Sequence, residues 1–171
     1  MDKTTVQQRR LISLLSVILV VLVLSSCVGV RLISDYDEAT DKSLTAIQQK
    51  TDDFVAALIK KAGTADAAFD KHKDFYDDID QQLRRLEFRV NSIPKNDKTI
   101  SLVKKIRLVI LGEGKCSDEG NSLRDMHCIA DGKEKGPSPM ALDISRRNIN
   151  QTISAALSLE LAKKQGLEQN K

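Results

Sequence analysis

The side chains with the widest chemical scope in this 171-residue chain are two histidines and three cysteines. His72 lies on the apolar seam of a predicted helix, where an imidazole could ligate haem or a metal ion inside a bundle. The alternative role is that of a half-buried histidine at the edge of the seam. The chain contains no Cys-x-x-Cys-His sequence for covalent haem and no Glu-x-x-His pair for a di-iron site. We therefore keep His72 as a candidate ligand-binding residue and predict no metal site and no cofactor.

Catalytic motifs are equally scarce. A nucleophilic triad needs a histidine near a serine or cysteine and an orienting acid, and neither His72 nor His127 lies in a recognisable motif of that kind. The six aspartates between residues 66 and 80 do not match a twelve-residue calcium loop. We expect a protein that is not an enzyme.

The first 26 residues follow the pattern of a secretory signal peptide. A short basic segment precedes an apolar run over residues 11–23, and Leu24, Ser25 and Ser26 follow. The sequence Leu24-Ser25-Ser26-Cys27 also resembles the bacterial lipobox, and this resemblance implies cleavage before Cys27 and lipidation of its thiol. The alternative is an uncleaved membrane helix over residues 11–30, because these 20 residues at about 1.5 Å each would span about 30 Å. In both cases the basic flank stays inside and the remainder lies outside the cytoplasm.

The residue after Cys27 indicates to which membrane a lipoprotein is sorted. Val28 stands there in place of aspartate, which resembles lipoproteins sorted to the outer membrane. We expect a lipid-anchored protein of the bacterial cell envelope that faces the periplasm.

The two other cysteines are expected to form a disulfide. If Cys27 is lipidated, Cys116 and Cys128 remain as an even pair in an oxidising compartment. The alternatives are free thiols or a metal site that also uses His127. Against the metal site, adjacent side chains at 127 and 128 rarely face one ion, and the sequence offers no evident fourth ligand.

Composition favours a helical domain. The chain has no tryptophan, 4% aromatic residues, eight glycines and three prolines. Loss of residues 1–26 leaves a formal net charge of +1, and this near-neutral balance argues against nucleic acid as the main partner.

Apolar spacing predicts four helices in the mature chain. The first covers 35–62, with Ser34 and Asp37 as an N-cap pair. The second has a heptad seam from Phe69 through His72 to Ile93 and is stopped by Pro94. The third covers 97–111 and ends at Gly112. The fourth begins with Ser138 and Pro139 and ends near 165.

The fold class is therefore all-α: an up-down helical bundle of three long helices and one shorter helix, with a disulfide-stapled loop. The predicted organisation is a signal peptide at 1–26, a lipidated tether at 27–34 and a bundle at 35–166. Ser-Asp-Tyr-Asp at 34–37 and Leu-Glu-Leu-Ala-Lys-Lys at 159–164 resemble small, uncharacterised helical lipoproteins of Gram-negative bacteria. That resemblance carries no known active site.

The functional hypothesis is a membrane-anchored periplasmic lipoprotein acting as a non-enzymatic protein-interaction module. It would serve as an envelope adaptor or as an immunity or exclusion factor, and the sequence does not separate these two roles. The alternative is a bundle that binds haem, a metal or a lipid between its helices.

Overall fold

The computed structural model describes residues 33–118 and 120–168, without the side chains of 130, 131 and 168. The predicted signal peptide, the lipobox with Cys27 and the tether up to residue 32 lie outside the described residues. Among the helices that are described, none combines the length and the hydropathy needed to cross a bilayer.

The described residues form six helices: α1 (Glu38–Lys61), α2 (Lys73–Ser92), α3 (Asp97–Leu111), α4 (Leu123–Cys128), α5 (Ala130–Lys135) and α6 (Pro139–Glu168). Two turns of 3-10 helix, Ala65–Ala67 and Phe69–Lys71, join α1 to α2. The three long helices and the shorter α3 confirm the predicted bundle. Residues 112–138, which carry Cys116 and Cys128 and are called the cysteine loop below, contain the two six-residue helices α4 and α5.

The four main helices alternate in direction. Polar contacts show that neighbouring helices are antiparallel, as in an up-down bundle, because a later residue on one helix pairs with an earlier residue on the other. Between α1 with its N-cap and α2, the pairs are Asp37–Arg89 and Lys50–Asp78, and between α1 with its N-cap and α6 they are Asp37–Glu160 and Asp52–Arg146. Arg107 of α3 pairs with Asp80 of α2. One end of the bundle therefore holds the start of α1, the end of α2 and the start of α3. The opposite end holds the cysteine loop.

The core is aliphatic and follows the spacing expected from the sequence. Every main helix buries side chains three or four residues apart: Leu44, Ile47, Thr51, Val55 and Leu58 in α1, Ile79, Leu83, Leu86 and Val90 in α2, Val103, Ile106 and Ile110 in α3, and Leu142, Ser145, Ile149 and Ile153 in α6. Burial of apolar area contributes about 25 cal/mol per Å², so this contiguous core is the main favourable term in folding.

The start of α1 differs from the prediction. Asp37, rather than Ser34, is the N-cap, and its carboxylate accepts a hydrogen bond from the Thr40 backbone N–H at 2.9 Å. The Ser34 hydroxyl instead donates to Asn96 Oδ1 at 2.8 Å. Local spacing favours Ser34 as a helix cap, but its hydrogen-bond partner is Asn96, the N-cap residue of α3.

The start of α2 also differs from the prediction. The predicted helix included Phe69 and His72, whereas α2 begins at Lys73. The backbone carbonyls of Asp66 and Ala67 contact imidazole nitrogens of His72 and His127 at 2.9 and 2.7 Å. Within the segment, the Lys71 N–H donates to the Ala68 carbonyl and the His72 N–H to the Phe69 carbonyl, three residues earlier in each case, so residues 69–71 form a 3-10 turn.

The ends of α6 are close to those expected. The Ser138 hydroxyl accepts from the Ala141 N–H at 3.2 Å and Pro139 is the first helical residue, as predicted. The helix continues past Gly166 to Glu168, two residues beyond the expected bundle boundary.

Candidate functional site

The cysteine loop is closed by a disulfide between Cys116 and Cys128, whose Cα atoms are 6.0 Å apart. This agrees with the predicted bond. Cys128 is buried at the end of α4, and Cys116 is exposed. His127 does not point towards the two sulfurs as a shared metal site would require, because both of its ring nitrogens contact other groups. Within 33–118 and 120–168, no group of three or more potential metal-ligating side chains comes together.

A buried carboxylate organises the rest of that loop. Asp125 is 2% exposed and forms a capping box with Ser122 at the start of α4. Its second oxygen accepts from the Ser117 backbone N–H at 3.3 Å. The backbone at Gly112 and Gly120 approaches so closely that a Cβ at either position would collide with this carboxylate. The two glycines are therefore required by packing against Asp125.

His127 is the centre of a buried aromatic cluster. Its Nε2 donates to the Ala67 carbonyl, so the neutral ring accepts the Tyr76 hydroxyl hydrogen at Nδ1, over 2.8 Å. Burial is the main cause that lowers the pKa of His127, and burial also raises the pKa of Tyr76 well above its ordinary value. The stacked rings of Phe54 and Phe75 cover the cluster.

His72 does not lie on a helix seam. It is the N-cap residue of α2, is half-buried, and its Nε2 contacts the Asp66 carbonyl. Its ring centroid is 5.7 Å from that of His127. The two histidines are thus brought together, although nothing in the sequence pairs them.

The opposite end of the bundle contains a buried ion pair. Lys163 Nζ lies 2.6 Å from Glu160 Oε1, and the two side chains are 3% and 1% exposed. Lys163 also donates to Asn96 Oδ1 at 2.9 Å and to Thr99 Oγ1 at 2.8 Å, so all three ammonium hydrogens have acceptors. The Thr99 hydroxyl in turn donates to Glu160 at 2.9 Å.

This network holds the residues that enter the bundle. The Ser34 backbone N–H donates to the Lys95 carbonyl at 3.0 Å, and the Ser34 side chain donates to Asn96. Asp37 N–H donates to Glu160 Oε2 at 3.5 Å, and its carboxylate forms a bidentate pair with Arg89. The Arg89 hydrogen bonds hold the pKa of Asp37 well below its usual range. Residues 34–37 are therefore bonded to the end of α2 and to α3 and α6.

The network was missed at the sequence level, although a signal was present. Glu160 and Lys163 continue the three- and four-residue steps of the buried positions 149, 153 and 156 in α6. Two charged residues on a core stripe indicate a buried polar pair, because isolated charges are rarely buried.

Two clefts lie at the end of the bundle that carries the cysteine loop. A cleft of about 460 Å³ lies between the end of α3, the cysteine loop and α6, and includes Leu108, Glu113 and Asn148 in its lining. A second, of about 220 Å³, lies beside Phe69 and Arg124. Three large apolar residues lie towards the end of the bundle that carries the cysteine loop: Leu108, Met140 and Ile144, which are 51%, 76% and 52% exposed.

Comparison of the chain with protein-family models, with curated proteins and with solved structures finds no match.

Proposed function

We propose that this chain is a bacterial lipoprotein, anchored through Cys27, whose helical bundle binds a protein partner in the periplasm. The partner would dock at the end that carries the cysteine loop. In this role the protein is an envelope adaptor or an immunity or exclusion factor, and it acts by binding rather than by catalysis.

The observation that carries the proposal is that the chain enters the bundle at the end opposite the cysteine loop. Residues 34–37 are bonded to the Glu160–Lys163 end. Six residue steps separate Cys27 from Ile33, so an anchor at Cys27 lies within about 20 Å of that end. The cysteine loop would consequently face away from the membrane, where a partner can reach it.

The surface at the loop end suits protein binding. Exposed apolar side chains of Leu108, Met140 and Ile144 lie towards the same end as the cleft of about 460 Å³. A cleft with a largely apolar lining and exposed apolar residues towards the same end is a candidate interaction surface. The disulfide fixes the loop beside this surface, which limits the conformational entropy lost on binding.

The buried titratable groups support a binding role. His127 has hydrogen-bond partners at both nitrogens, and Lys163 uses all three ammonium hydrogens. In each case the partners are groups of the fold itself, so these side chains stabilise the bundle rather than project towards a reactant.

The anchor is tested by mass spectrometry of the chain purified from bacterial membranes. We expect the mature protein to begin at an acylated Cys27 and the Cys27→Ala variant to lose the acyl mass. An intact Met1 without acyl groups would contradict the lipoprotein assignment.

The partner surface is tested by crosslinking in intact cells, followed by purification of the lipidated chain. We expect a defined crosslinked protein with the wild-type chain and a large loss of that product with Ile144→Asp. Ser154→Asp is the matched control, because it adds the same charge to another exposed position of α6. Equal recovery with both variants would place the partner elsewhere.

The ligand-binding hypothesis has one specific observation in its favour, the 5.7 Å separation of the His72 and His127 rings. If a metal ion or haem binds there, it should raise the thermal unfolding temperature of the wild type but not of His72→Ala. Unchanged unfolding temperatures with zinc, nickel and haem would remove this hypothesis.

A further inference from the structure

Three exposed apolar residues lie towards the end of the bundle where the chain enters it. We call Ile33, Phe88 and Pro94 the tether-end patch. Phe88 is 80% exposed and Ile33 is 39% exposed, and Pro94 is exposed in the turn between α2 and α3. Ile33 lies beside this turn, because the next residue, Ser34, donates its backbone N–H to the Lys95 carbonyl. Phe88 lies in the last two turns of α2, which lead into the same turn.

We propose that the tether-end patch rests on the phospholipid bilayer, with the Phe88 ring inserted among the headgroups. This inference depends on the proposed anchor, because the anchor decides which surface is nearest the membrane. The chain before Ile33 contains the apolar run at residues 11–23 and Cys27. Either form of membrane attachment would hold Ile33 within about 20 Å of the bilayer, since only six residue steps separate it from Cys27.

The contact would follow from this proximity. A tethered surface meets the bilayer at a high effective concentration, so a small apolar patch can bind without a large free energy of its own. Aromatic and aliphatic side chains on a protein surface are stabilised at the interface between headgroups and acyl chains. Phe88 presents most of its ring to solvent in the bundle, so it could enter that interface without any rearrangement of the core.

The rigid attachment of residues 34–37 gives the contact a direction. Ser34 and Asp37 are hydrogen-bonded to Asn96, Arg89 and Glu160, so the chain enters the bundle at a fixed point on this end. A bilayer that meets the tether-end patch would leave the opposite end far away. The 24 residues of α1 alone rise about 36 Å along the bundle.

The absence of tryptophan makes the test direct. Phe88→Trp and Met140→Trp each place one indole on an exposed site, at 80% and 76% exposure, at opposite ends of the bundle. Each full-length variant, purified with its native anchor, is reconstituted into phosphatidylethanolamine–phosphatidylglycerol vesicles, with and without brominated acyl chains. We expect the emission of Phe88→Trp to shift to shorter wavelength on reconstitution and to be quenched by brominated lipid. Met140→Trp should show neither change.

The outcomes separate this inference from the proposed function. If the chain floats with vesicles but the emission of Phe88→Trp matches that of Met140→Trp, the patch does not touch the bilayer, and the proposed anchor still stands. If the chain does not float with vesicles, the anchor itself is refuted, and the membrane contact with it.

Discussion

Replacing Lys163 by methionine removes the cation of the buried ion pair and nearly preserves the aliphatic volume of the side chain. In the native bundle Lys163 contacts Glu160, Asn96 and Thr99, at distances of 2.6 to 2.9 Å. After Lys163→Met, Glu160 would keep its buried position with the Thr99 hydroxyl and the Asp37 N–H as partners but without a counter-charge.

The magnitude follows from the burial of the two side chains, which are 3% and 1% exposed. Breaking a buried pair by removing one partner costs about 3–5 kcal/mol, because the remaining charge stays desolvated. We therefore expect Lys163→Met to lower the free energy of unfolding by about that amount. The double variant Glu160→Gln with Lys163→Met should lose less than Lys163→Met alone, because the desolvated charge is then gone.

The assay is urea denaturation followed by far-ultraviolet circular dichroism. Lys164→Met is the matched control, because Lys164 is the exposed neighbour and its nearest aromatic contact is the Tyr36 ring at 5.6 Å. We expect this control to change stability by less than about 1 kcal/mol. If Lys163→Met lost no more than Lys164→Met, the Glu160 charge would not depend on Lys163 and the reasoning would be refuted.

Three further predictions concern the rest of the bundle. Joint replacement of Cys116 and Cys128 by alanine should lower the free energy of unfolding by about 3 kcal/mol, because it frees a loop with a sequence separation of 12; urea denaturation of the wild type with reductant should show the same loss. Burial lowers the pKa of His127 from 6.5, so below pH 6.5 this imidazole is protonated in the unfolded chain more readily than in the folded chain. The free energy of unfolding should therefore fall as the pH decreases. In denaturation at several pH values His127→Phe should flatten this dependence, and an unchanged slope would contradict the prediction. Thr51 is 1% exposed and its hydroxyl has no hydrogen-bond partner within the described residues, so Thr51→Val should raise the thermal unfolding temperature through a gain of about 1 kcal/mol; a lower temperature would point to a partner for the hydroxyl.

Some contacts at the two ends of the bundle join residues that no local pattern connects. The Tyr76–His127 hydrogen bond joins residues 51 apart in sequence, and the bond from Lys163 to Thr99 spans 64 residues. Such contacts depend on how the helices pack, so periodicity alone could not predict them. The unusual position of Glu160 and Lys163 on a core stripe was the one local indication that a polar network existed.

The sequence by itself determined the helical class, the four main helices and the pairing of the two cysteines. These depend on short-range physics: apolar steps of three and four residues, Pro94 and Gly112 as helix ends, and Ser138 with Pro139 as a helix start. Tertiary structure brought the imidazole of His127 to the carbonyl of Ala67, 60 residues earlier, in the segment that precedes α2. It also decided that Asp37 caps α1, since Ser34 finds its partner in Asn96. A backbone or side-chain group bonds to whichever partner packing brings within reach, and the sequence shows that partner only where it is a near neighbour.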